Sequence, residues 1–160
     1  MLKGNSKIKG FSFGLTSGVI TTLGMIVGLE SATKSNMVII AGILSIAIAD
    51  SFSDALGMHI SEESEQVHSA KEIWTATIYT FLAKFFFALL FIIPFVLFDT
   101  TNAVVASILF GLAVIGYYSK IIAEKEHKPV SPVIGEHLAI SLIVIIATHF
   151  VGDIIRIFLG

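Results

Sequence analysis

The 160-residue chain has no cysteine, which removes disulfides and thiolate metal sites from consideration. Charge is scarce: Asp, Glu, Lys and Arg make up 14% of the residues, and Arg156 is the single arginine. Long polar stretches are also missing, the longest being about 14 residues, and no segment is low in complexity or visibly repeated. With so little that is polar, the chain offers no linker at which to divide it, and residues 1–160 read as one domain. What fills the space is apolar: 55% hydrophobic residues and a mean hydropathy of +0.91, too greasy for a soluble domain.

The apolar residues fall in blocks at about 11–29, 37–58, 73–98, 103–119 and 137–158. Each approaches the roughly 20 residues that an α-helix needs to cross a hydrocarbon core of about 30 Å. Barrel strands would be shorter and would alternate, so the expected fold is an all-α integral membrane protein with five transmembrane helices. Lys3, Lys7 and Lys9 precede the first block as they would in a signal peptide, but the block is long, rich in Gly and Thr, and followed by no clear A-x-A site; it reads as a helix.

Counting Lys and Arg near the helix ends sets an orientation. With the N-terminus cytoplasmic, Lys3, Lys7, Lys9, Lys71, Lys120, Lys125 and Lys128 lie inside, against Lys34 and Arg156 outside. That asymmetry favours N-terminus in and C-terminus out, with the plasma membrane as the default location. Helix one carries Gly14, Ser17, Gly18, Thr21, Met25 and Gly28 at three- and four-residue steps, and "GLTSG" and "GMIVG" are both G-x-x-x-G. Such a stripe lets two helix backbones approach closely, and it predicts either a homodimer packed through helix one or a contact within the subunit. Pro94 in "FIIPFV" predicts a kink near the end of helix three.

The stretch "AIADSFSDALGMHISEESEQVH" places Asp50 and Asp54 inside an apolar run. At 1.5 Å per residue they lie roughly 20 and 26 Å from one membrane surface, on one helical face. A charge near the bilayer centre costs about 2.5–3.5 kcal/mol, so this face must meet protein, water or a cation. Lys84, at a similar depth in helix three, is a partner for Asp50 in a structural reading. In a functional reading the two carboxylates are hard oxygen ligands for a divalent cation, and Met25 or Met58 adds a soft thioether, a set that suits Fe²⁺ or Mn²⁺. Carboxylates desolvated when the cation leaves favour proton uptake, which couples metal to protons.

Past Asp54, Met58, His59, Glu62 and Glu63 form either an acidic mouth that concentrates cations or a solvated helix end. Spacings of three and four recur there, His68 following Glu65 by three. His149 and Asp153 make a second intramembrane pair, a proton or metal relay together with Lys84 or else a salt bridge of Asp153 to Arg156. Glu136 and His137 in "GEHL" are expected at the start of helix five, capping it.

In the order of these features the chain resembles the vacuolar iron transporter family, through "FSFGLTSGVITTLGMIVGLESA", "AGILSIAIADSFSDALGMHISEESEQ" and "GEHLAISLIVIIATHFVGDII". The resemblance spans almost the whole chain. It implies five membrane helices, a homodimer, and exchange of Fe²⁺ or Mn²⁺ for protons. The chain departs from the family pattern in three places: Phe13 stands where an aspartate precedes Gly-Leu, Ser45 and Ser53 stand near the usual Glu and Met of helix two, and only a short acidic segment replaces a cytoplasmic metal-binding domain.

The expected function is therefore transport, with the metal ion as substrate, no resident cofactor, the lipid bilayer and a second copy as partners, and no nucleic acid. Two other classes compete. A membrane enzyme would use the D-x-x-x-D of "DSFSD" to hold Mg²⁺ for phosphoryl or prenyl transfer, but only Lys71 and Lys84 are near enough to hold a diphosphate. A noncatalytic scaffold would need neither aspartate.

Overall fold

The computed structural model describes residues 5–159; Lys3 lies outside them. Five helices are long and apolar enough to cross a membrane: α1 (Ser6–Thr33), α2 (Asn36–Ser64), α3 (Ala70–Leu97), α4 (Thr100–Lys125) and α5 (Val130–Leu159). No strand occurs among the described residues. The helices run past the apolar blocks at most ends, because polar caps and not hydropathy set their limits. Asn5, Ser35 and Asp99 each accept a backbone N–H in the first turn of α1, α2 and α4. Ser69 and Glu72 form a reciprocal capping box that restarts the chain as α3. Turns between helices are tight, and Lys34, Gln66 and His127 take left-handed backbone to make three of them.

Helix α1 is the centre of the bundle. It packs most extensively on α3, then on α5, and also touches α2 and α4. Val19, Leu23 and Ile26 of α1 meet Ile39 and Ile43 of α2, Phe91 and Phe95 of α3 and Ile115 of α4 in one core. The outer surface is apolar too: Phe52, Phe86, Leu109, Ile143 and Phe150 are all exposed, as lipid-facing side chains would be.

The glycines of α1 explain its central place within the chain. A Cβ on Gly10 would stand 2.2 Å from the Ala76 carbonyl oxygen, and one on Gly14 2.4 Å from that of Thr80, both in α3. Gly28 faces Thr148 of α5, and Met25 packs against Gly42 of α2. The buried glycines of the stripe thus pack against neighbours of the same chain, the contact within the subunit that the sequence also allowed, while Ser17, Thr21, Met25 and Gly28 stay partly exposed.

Two helices are irregular. In α3 the α-helical run stops at Leu90 and resumes from Ile92 to Leu97; Pro94 has no N–H for the carbonyl one turn back. In α2 a π-helical turn spans Ile46–Asp50, between α-helical Asn36–Ser45 and Ser51–Ser64. The extra residue rotates everything below it and ends at Asp50, and such bulges mark functional segments more often than chance.

Candidate functional site

Below the π turn α2 is again α-helical, so Asp50 and Asp54 sit one turn apart and converge on one group of α3. Lys84 Nζ lies 2.6 Å from Asp50 Oδ2 and 2.5 Å from Asp54 Oδ2. Ser17 of α1 completes the cluster, accepting from Lys84 Nζ at 2.9 Å and donating to Asp54 Oδ2 at 2.6 Å. Gly18 makes this possible: the Lys84 Cα is only 3.0 Å from where its Cβ would be, so α3 brings the lysine stem directly onto α1. The lysine therefore reaches both aspartates, and not Asp50 alone.

The three charges are unequally exposed. The Lys84 side chain is wholly buried, while Asp50 is 34% and Asp54 20% exposed. An open cleft of about 490 Å³ adjoins Asp50, lined by Ser45, Ile46, Ala49 and Ser53. Ser45 and Ser53, the positions that depart from the family pattern, thus flank the carboxylate that reaches the surface. Two carboxylates and one ammonium leave the cluster with one uncompensated negative charge beside a space large enough for a hydrated ion.

The remaining candidates do not converge on this point. Met25 faces Gly42, two helical turns or roughly 12 Å above Asp50. Met58 is buried one turn below Asp54. His59 turns to α3, its Nδ1 3.0 Å from Thr77 Oγ1 and its ring edge-on to Trp74. Glu63 is exposed, whereas Glu62, one residue away, is fully buried beside Lys9 of α1. Phe13 is 43% exposed on α1.

At the other end of the bundle His149 Nδ1 is 2.6 Å from Ser31 Oγ, its Nε2 3.4 Å from Asp153, and Asp153 is 2.8 Å from Arg156. This network is separate from Lys84. His137 needs a correction: α5 begins at Val130, so His137 is two turns inside it and hydrogen-bonds the buried Ser119 of α4 at 2.7 Å. It lines, with Ser12, Thr16 and Tyr118, a cleft of about 770 Å³ between α1, α4 and α5.

Sequence reasoning did not find the roles of Ser17, Lys9 and Ser119, whose partners are 37 or more, 53 and 18 residues away in the chain. No local spacing signals such contacts. No protein-family model, curated protein or solved structure matches the chain.

Proposed function

We propose that the chain is a membrane transporter that exchanges a divalent cation, Fe²⁺ or Mn²⁺, for protons at the Asp50, Asp54 and Lys84 cluster. The observation that carries this reading is the buried Lys84 ammonium held between two partly exposed carboxylates next to an open cleft. The ammonium occupies the position that a cation bound by both aspartates would take. Removing its proton leaves a neutral amine, and Asp50 and Asp54 then balance a divalent ion without residual charge. When the ion leaves, Lys84 takes one proton, and a second on a carboxylate again makes the cluster neutral. Two protons per divalent ion thus keep a mid-membrane site uncharged in both loaded states, which avoids the cost of burying net charge. Ser17, hydrogen-bonded to both Lys84 and Asp54, positions the pair and supplies one more oxygen. Resemblance to the vacuolar iron transporter family supports the same direction.

A second reading rests on the same contacts: the triad as a static clamp of α1, α2 and α3. Mn²⁺ uptake into proteoliposomes with an imposed proton gradient separates the two. Exchange predicts uptake that drives proton movement the other way and is abolished in Asp54→Asn with the protein still folded. Unchanged uptake in Asp54→Asn would remove the cluster from the mechanism, and no uptake by the wild type would leave the clamp.

A further inference from the structure

The end of α2 carries a second arrangement of charge, outside the cluster just described. Glu62 is a carboxylate with no exposed side-chain surface. Lys9 of α1 pairs with its Oε1 and, at 3.1 Å, with Oε1 of Glu65. The opposite edges of the same two carboxylates face His68, whose Nε2 is 3.1 Å from Glu65 Oε2 and 3.7 Å from Glu62 Oε2. Glu62 Oε2 is buried and accepts no hydrogen bond. One donor atom from each of Glu62, Glu65 and His68 lies within 4.8 Å of the others.

The geometry points to a divalent transition-metal site formed by Glu62, Glu65 and His68, with Lys9 as the counter-ion on its far side. A buried carboxylate oxygen without a hydrogen bond is costly, and a cation on its open edge is the direct remedy. Two carboxylates against one ammonium leave a net negative charge there. The imidazole nitrogen stands 3.1 and 3.7 Å from the two carboxylate oxygens, close to the spacing of neighbouring ligands that each lie about 2.0–2.2 Å from one ion. Two oxygens and one imidazole, with no thiolate, suit a first-row divalent ion such as Mn²⁺, Fe²⁺ or Zn²⁺, water completing the shell. Glu62 and Glu65 are three residues apart on the last turn of α2, and the left-handed Gln66 turns the chain so that His68 comes back over them. Lys9 remains in place, because it uses the other oxygen of each carboxylate. The site does not rest on the exchange reading: Glu62 is eight residues, or roughly 12 Å, along α2 from Asp54.

The test is a Mn²⁺ titration of the purified full-length Asp54→Asn protein, followed by pulsed electron paramagnetic resonance. The expected result is one bound Mn²⁺ per chain with nitrogen modulation from an imidazole ligand. His68→Gln should abolish the modulation and weaken binding by roughly 10-fold or more, and Glu65→Gln should weaken it similarly. Both side chains lie at the helix end, so unchanged melting curves show that the fold is kept. Absence of Mn²⁺ binding, or nitrogen modulation that persists in His68→Gln, overturns the site. Uptake is measured separately on the protein with Asp54 intact, so failure of this site is distinct from failure of the exchange cluster.

Discussion

Helix α2 carries two clusters in which a lysine sits between two carboxylates, and they are built inside out with respect to each other. At mid-helix the cation is buried and the anions reach the surface: Lys84 is 0% exposed, Asp50 34%. At the helix end one of the two anions is buried and the cation reaches water: Glu62 is 0% exposed, Lys9 43% and Glu65 45%. The first therefore presents negative charge to a cleft among apolar residues, and the second keeps one carboxylate, Glu62, under a solvated lysine while Glu65 reaches water. Coulomb attraction is strong and poorly screened in the first, weak and salt-sensitive in the second.

The comparison breaks most visibly at Lys84. Lys84→Met leaves two carboxylates without a counter-ion in the apolar band and should lower stability by roughly 3–5 kcal/mol; reversible unfolding in mixed micelles measures it. Adding Asp50→Asn and Asp54→Asn should recover most of that loss. Failure to recover would mean that Lys84 acts through packing rather than charge.

Next comes α1, which contributes Ser17 to one cluster and Lys9 to the other. Gly14→Val would push α1 off Thr80 and should cost about 1–3 kcal/mol, disturbing both clusters together. Gly57→Ala on α2 meets nothing within 4 Å and should instead stabilise by about 0.5–1 kcal/mol. Two glycine substitutions with the same sign would contradict the packing described here.

Lys9→Met should have a smaller effect, about 1–2 kcal/mol. Solvent screens an exposed lysine, but the buried Glu62 loses its counter-ion. The smallest effect concerns acid. Hydrogen bonds from Lys9, and then from His68, hold the Glu65 carboxyl below its usual 4.5. Its contribution to stability is present above 4.5 and is lost as pH falls through the lowered value. Glu65→Gln should flatten that limb of a pH-stability curve and lower the neutral plateau slightly, leaving the most acid end of the curve unchanged.

Much of this was legible in the sequence, for identifiable reasons. Helix number follows from the length of the apolar blocks, each of which is long enough to cross a membrane and forms one long helix. Asp50, Asp54 and Lys84 stand out because ionisable groups are rare at that depth, and the four-residue step between the aspartates survives since it lies below the π turn. The turn itself left no trace: "SIAIAD" is as apolar and β-branched as ordinary membrane helix. The glycine stripe announced close packing but could not name its partner, because a glycine meets a helix of its own chain or of another copy by the same geometry. The pairing of Lys9 with Glu62 was invisible, since it depends on α1 and α2 ending side by side. His137 was misplaced because α5 starts two turns earlier than its apolar run, at residues polar enough to look like a loop.

Proton counting tests the central claim most directly. In a background of Glu65→Gln and His68→Gln, Mn²⁺ is added to the weakly buffered protein and the release of protons is measured against the ion bound. Exchange at the cluster predicts that Mn²⁺ binding expels protons, and that Asp54→Asn expels one fewer per ion. Binding without proton release, or an unchanged count in Asp54→Asn, would show that the cluster is a fixed clamp and not a proton carrier.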